Sequence, residues 1–162
     1  MIWSMKMDGI LADDKYVAFV SRRQCAMDAV ITAAVKFYPE GQESAGIAAV
    51  QAMNHQIHIE RACEDGKQVV RVVVITADYI QPPYFPGFTS TTNREIICSE
   101  AYDKSEIILQ LDMQHEDFCI RYGESEEELK ELCRIDGASR ESRVYVRYNA
   151  WNVCNRKRKR FR

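Results

Sequence analysis

Long uncharged runs are missing from this chain of 162 residues. No stretch of about 18 apolar residues occurs, so no membrane-spanning helix is expected. Met1 to Ile10 includes Lys6 and Asp8 and has no long apolar segment, so it does not read as a secretory signal. No Gly/Ser-rich linker and no internal repeat divides the chain, and its length suits one domain. Histidine is scarce: His55, His58 and His115 are the only three. His55 and His58 stand three apart, which on a strand places them on opposite faces. A shared metal is therefore not expected, and surface or rim positions are. The six cysteines, Cys25, Cys63, Cys98, Cys119, Cys133 and Cys154, show no C-x-x-C spacing. Their even number leaves disulfides open. Without a signal segment, the better reading is scattered buried thiols in a cytoplasmic protein. No cofactor and no metal site is expected.

One sign of charge is also thin over most of the chain. The formal charge is −2, but Arg156, Lys157, Arg158, Lys159, Arg160 and Arg162 crowd the last eight residues. Removing these six from the 22 bases leaves 16 against 24 acids, a body of −8. An acidic body does not suit nucleic acid. The tail alone could bind nucleic acid, anionic lipid or a targeting receptor, or be a frayed, solvated terminus.

What is present is apolar and β-branched, with a period of two. Ala29, Ile31, Ala33, Val35 and Phe37 share one face of a strand that Pro39-Glu40-Gly41 ends. Ala45 to Ala52 is small and apolar, as in a strand buried on both faces. Ile57 and Ile59 oppose Gln56, His58 and Glu60. Glu64-Asp65-Gly66-Lys67 predicts a hairpin turn into the β-branched run Gln68 to Ala77. Asp78 to Asn93, with three prolines and four aromatics, predicts a long loop. Strands resume at Arg94, and Ile107, Leu109, Leu111 and Met113 then share a face. A turn at Gln114 to Asp117 leads to Phe118, Ile120 and Tyr122. Ser125-x-x-Glu128, followed by Leu129 and Leu132, predicts a short helix over 125–133. Val144, Val146 and Tyr148 alternate with polar neighbours and could supply a last strand. Strands at about ten-residue spacing predict a sandwich or barrel. The expected core is Ile31, Val35, Phe37, Ile47, Val50, Ile57, Ile59, Leu109, Leu111, Phe118 and Ile120.

Three segments in order carry a resemblance. They are Ala18-Phe19-Val20-Ser21-Arg22-Arg23-Gln24, then Glu43 to Gln51 with its Ala45-Gly46 pair, then Ile107 to Asp136 with Phe118-Cys119-Ile120-Arg121-Tyr122-Gly123-Glu124-Ser125. Together they resemble the C-terminal sandwich of glycoside hydrolase family 43, the β-xylosidases and α-arabinofuranosidases. The resemblance covers roughly residues 11–138. It implies an all-β fold, a concanavalin-A-like jelly roll of two antiparallel sheets. The family's catalytic part is a five-bladed propeller that precedes this sandwich, and nothing here corresponds to it. The family's closing strands are expected to be absent or replaced after Ala138. The expected organisation is an N-terminal extension over 1–10, the sandwich over 11–151, and a basic, disordered tail over 152–162.

Glycoside hydrolysis needs two carboxylates flanking the scissile bond. Glu124, Glu126, Glu127, Glu128 and Glu131 form an acidic patch, but a solvated helix N-terminus accounts for them. No catalytic residue is expected. Cys25, beside Arg22 and Arg23, reads as an inert strand cysteine. Arg22 and Arg23 fall on opposite faces of their strand, so one should face the interior or a cleft. It would serve as a structural ion pair, or touch a partner propeller or a sugar. Tyr84, Phe85 and Phe88 could stack on a sugar ring or pack on their own sandwich. The resemblance implies an accessory, non-catalytic domain that packs on a glycoside hydrolase catalytic domain and shapes access for xylan- or arabinan-derived oligosaccharides. The alternatives are a free-standing carbohydrate-binding module and a truncated, inactive product.

Overall fold

The computed structural model describes residues 18–52, 55–79, 90–115, 117–136 and 149–155. Ten strands fill them: β1 (Ala18–Arg23), β2 (Ala29–Lys36), β3 (Ser44–Ala52), β4 (His55–Glu64), β5 (Lys67–Tyr79), β6 (Ser90–Ala101), β7 (Glu106–Gln114), β8 (Asp117–Gly123), β9 (Lys130–Ile135) and β10 (Asn149–Asn155). They form two antiparallel sheets. Six strands run in the order β1-β10-β3-β4-β5-β6, and four in the order β2-β7-β8-β9.

Period-two alternation sets the packing. Ile47 and Ala49 of β3, Ile57 and Ile59 of β4, and Val70, Val72 and Val74 of β5 form the inner face of the larger sheet. Ile107, Leu109, Leu111 and Met113 of β7, with Phe118, Ile120 and Tyr122 of β8, meet them from the smaller sheet. Ile31, Val35 and Phe37 are only partly buried. The reason is position, since β2 is an edge strand of the smaller sheet. Val50 is buried, but on the outer face of its sheet, the side of Ala48 rather than that of Ala49. Replacing Leu109, which is fully buried, with alanine is expected to cost about 2–5 kcal/mol. Val30→Ala, on an exposed side chain of β2, should leave the urea midpoint nearly unchanged. Equal midpoints for both variants would show the face assignment to be wrong.

The turn between β4 and β5 matches its sequence. Asp65 and Gly66 both take positive φ, 49° and 79°, as a two-residue type I′ hairpin requires. Strand occupies both ends of the segment Asp78 to Asn93 that was expected to be a loop, and residues 80–89 lie outside the described residues. β5 runs on to Tyr79 and β6 starts at Ser90, pairing Asp78 with Thr91 and Tyr79 with Ser90. Mutual hydrogen bonding extends this hairpin into the turn-rich ends of the segment.

The helix predicted over 125–133 does not form. Ser125 to Glu128 make a turn, with Glu128 N donating to Ser125 O at 3.3 Å, and Lys130–Ile135 is strand β9, paired with β8. A helix of two turns gains little on its own. The strand instead sets Leu132, Cys133 and Ile135 against the core. The acidic patch is therefore a turn and a strand edge, where Glu131 pairs with Arg134 (2.8 Å) and Glu124 with Lys104.

Closing strands were expected to be absent or replaced. β10 supplies one, inserted between β1 and β3, and it continues past Trp151 to Asn155. The basic residues 156–162 lie outside the described residues.

One end of the core is polar. Arg61, in the inner row after Ile57 and Ile59, is fully buried. Its Nη1 and Nη2 donate to the carbonyls of Tyr102 (2.5 Å) and Lys104 (2.9 Å), and its guanidinium lies 4.8 Å from the Tyr102 ring centre. Tyr102 meets Tyr122 edge-on at 5.8 Å. Two carbonyls and one ring face thus hold the two Nη ends of a buried cation, with the Asp103 charge nearby, while its Nε finds no partner.

Candidate functional site

A sheet face turned away from the core normally carries solvated side chains. The outer face of the six-stranded sheet departs from this, because Ser44, Ala48, Gln56, His58, Glu60, Val73 and Ile75 are all buried. Three cross-strand rows build it. One runs Gly46–Glu60–Arg71–Ser99, the next Ala48–His58–Val73–Ile96, and the third Val50–Gln56–Ile75–Arg94.

Glu60 is the centre of the face. It is 3% exposed, and four donors saturate its carboxylate. Arg71 Nε and Nη2 reach Oε1 at 2.8 and 2.7 Å, Arg94 Nη2 reaches Oε1 at 3.0 Å, and the Ser44 hydroxyl reaches Oε2 at 2.7 Å. Arg71 Nη1 also donates to Glu64 Oε1 (2.8 Å), whose other oxygen accepts from Ser99 (2.9 Å). Burial by itself would push the Glu60 carboxyl up. Arg71, His58, the Ser44 hydroxyl and Arg94 together carry it below the ordinary carboxylate value. Glu60 is thus a fixed anion at neutral pH. It holds no proton to donate, which a glycosidase acid must have.

Gly46 makes the closeness possible. A Cβ there would fall 1.8 Å from the Ile59 carbonyl oxygen and 2.8 Å from the Glu60 Cα. β3 therefore lies too near β4 for any side chain at this position. That places Ser44 within reach of Glu60.

His58 Nε2 lies 2.6 Å from Gln56 Oε1, an acceptor, so the ring donates from Nε2. Burial lowers its pKa to about 4, against the attraction of Glu60 and with the repulsion of Arg94. Between pH 6.5 and about 4 the unfolded chain therefore binds a proton that the folded chain refuses. Stability falls as pH drops through that window, by about 3 kcal/mol for this one group. His58→Gln should lose less of its thermal midpoint than the parent between about pH 7 and about pH 5. An equal loss would remove His58 from the account. Surface or rim positions were expected for the histidines; His58 is buried because its strand is covered on both faces. His55 is half-buried, and His115 sits at the β7–β8 turn with its backbone N–H on Asp28 (2.8 Å). Among the described residues no cluster of histidine, cysteine or carboxylate could hold a metal ion.

Beyond the Glu60 row, toward the β4–β5 turn, the face opens into a depression of about 550 Å³ lined by Glu40, Gln42, Glu64, Asp65, Arg71 and Ile96. At the opposite end lies the sequence candidate Arg23. It is exposed, and its row continues through Asn149 and Val50 to Gln56, Ile75 and Arg94. Arg22 occupies the next register position, opposite Ala150 and in line with Ala49 of the core; its side chain lies outside the described part. Tyr84, Phe85 and Phe88 also lie outside the described residues. In sequence they fall between Tyr79 and Ser90, which pair four residues beyond Ile75–Arg94 on the same hairpin.

Sequence reasoning did not single out Glu60, Arg71 or Arg94, nor Arg61 in the core. The parity of Ile57 and Ile59 carried the signal for two of them. It places Arg61 inward and Glu60 on one face with Gln56 and His58, and a buried charge needs charged or carbonyl partners.

The family model described as "Beta xylosidase C-terminal Concanavalin A-like domain" matches residues 4–150. No curated protein sequence matches the chain. Among solved structures, the GH43 protein BlXynB from Bacillus licheniformis superposes with a TM-score of 0.74 at 14% identity, covering 94% of this chain and 29% of its own. A xylan β-1,4-xylosidase from Bacillus halodurans C-125 gives 0.72 at 13%, covering 93% and 28%. A GH43_12 protein retrieved from a capybara gut metagenome gives 0.72 at 14%, covering 93% and 28%. At such identities the likeness is one of fold, and this chain spans less than a third of each of those proteins. No helix among the described residues is long and apolar enough to cross a membrane. A two-sheet antiparallel sandwich with a family match over residues 4–150 has one placement: the chain belongs to the β-xylosidase C-terminal concanavalin A-like domain family.

Proposed function

We propose that this chain is an accessory, non-catalytic sandwich of a glycoside hydrolase, which packs on a catalytic propeller and shapes access for xylan- or arabinan-derived oligosaccharides. The observation that carries the reading is proportion: almost all of this chain matches less than a third of GH43 enzymes. Arg23 on the open end of the outer face, Arg22 beside it, and the loop residues Tyr84, Phe85 and Phe88 are the proposed contacts with the partner domain or its sugar. The free thiols of Cys25, Cys63, Cys98, Cys119 and Cys133 support a cytoplasmic setting. The basic tail is proposed as dispensable for folding, and nucleic acid is not a proposed partner of the sandwich itself.

The purified chain is expected to leave aryl β-xylosides and α-arabinofuranosides uncleaved. Turnover that survives rigorous purification and vanishes on mutating one carboxylate would overturn the reading. The polar depression lined by Glu40, Gln42, Glu64, Asp65 and Arg71 favours a second reading, a free-standing carbohydrate-binding module. Calorimetric titration with xylo- and arabino-oligosaccharides separates the two. Tight binding by the chain alone, lost in Arg23→Ala, belongs to the module.

A further inference from the structure

The strands β6 and β9 belong to different sheets, yet they approach within 8 Å, Cα to Cα. Facing sheets ordinarily pack about 10 Å apart. Glu100 of β6 holds the approach by accepting from Lys130 of β9 (2.7 Å) and from Tyr122 of β8 (2.5 Å). Each strand carries a bulge beside this contact. In β6 the pairing with β5 slips between Val72–Cys98 and Val73–Ile96, which leaves Ile97 as the extra residue. In β9 the pairing with β8 slips between Ile120–Cys133 and Arg121–Glu131, which leaves Leu132. A bulge re-aims the side chains next to it. Here the neighbours of the two extra residues are Cys98 and Cys133, which pair with the core residues Val72 and Ile120. Both cysteines are half-buried against the core on the inner faces of these approaching strands, near enough that each thiol shifts the other's pKa across the gap. The thiol of Cys119 instead donates to Glu131 (3.4 Å), and that of the exposed Cys25 to the carbonyl of Arg23 (3.5 Å).

From this juxtaposition we propose that Cys98 and Cys133 are a modification site, a dithiol that a low-molecular-weight disulfide oxidises to a bond between the two sheets. The Cys98 thiolate attacks one sulfur of the small disulfide, forms a mixed disulfide and releases one small thiolate. The Cys133 thiol then gives up its proton, and its thiolate attacks the Cys98 sulfur and expels the second. Two protein thiols lose two electrons, one small disulfide gains them, and the protons leave with the two small thiols. The nearby Cys133 thiol lowers the Cys98 pKa while that of Cys133 is raised, which makes Cys98 the first nucleophile.

The test uses the full chain, equilibrated with mixtures of oxidised and reduced glutathione, acid-quenched, alkylated and mapped without reduction by mass spectrometry. One cross-linked peptide pair containing Cys98 and Cys133 is expected, while Cys25 carries at most glutathione. The thermal midpoint should rise by about 5–10 °C and return on adding reductant. In Cys133→Ala the cross-link and the rise should both vanish, and Cys98 should end as a glutathione adduct. If that variant does not fold, the map of the parent chain decides alone. Cys98 and Cys133 both alkylated throughout the titration, or Cys98 joined to another cysteine, would overturn the proposal.

Discussion

Glu60→Ala is expected to destabilise the sandwich by about 3–5 kcal/mol, the cost of removing one partner from a buried charge cluster. Arg71 is only 13% exposed in its side chain and would keep Glu64 alone as a counter-ion, while Arg94 would lose its bond at 3.0 Å and Ser44 its acceptor. Glu60→Gln tests whether shape or charge matters. It preserves volume but turns an amide toward two guanidinium groups, so most of the loss should remain. Lys36→Ala supplies the contrast. Its pair with Glu106 is 2.5 Å long but 79% and 67% exposed, and such pairs contribute little because water screens them. Urea denaturation of the three variants measures all of this. A Glu60→Ala midpoint equal to that of Lys36→Ala would mean that the outer face is solvated and that Glu60 is no keystone.

Gly46→Ala should be worse still, at about 4 kcal/mol or more. The obstacle is backbone, the Ile59 carbonyl at 1.8 Å from the added carbon, so no rotamer change relieves it. β3 must move off β4, and the ladder from Ala45–Arg61 to Val50–Gln56 loosens with it. Gly66→Ala sits at positive φ in open space, so it should show only the smaller cost of a left-handed residue. Soluble, folded Gly46→Ala protein with a parent-like midpoint would contradict the close approach of these strands.

The contrast between these positions shows what was legible in the sequence. Period-two runs such as Ile107 to Met113 gave the strands and most of the core, because parity alone decides which face a residue takes. Asp65-Gly66 gave its turn for an equally local reason. The helix over 125–133 failed because a capping pattern is local, whereas the pairing of Lys130–Ile135 with β8 is not. The outer face was illegible for a related reason. Gln56, His58 and Glu60 look like a solvent-facing row until Arg71 and Arg94, from other strands, arrive beside them. Of the candidate site, Arg23 was named and falls on the row of Gln56 and Arg94. Glu60 itself reads from sequence as an ordinary surface acid.

The central claim is that this sandwich works on a catalytic domain. The most direct measurement is to sequence the DNA adjoining its coding region and to co-express any propeller encoded there. The account predicts a propeller frame whose product co-purifies with this chain in equal amounts and gains hydrolytic activity from it. No such frame, together with tight oligosaccharide binding by the chain alone, would contradict it.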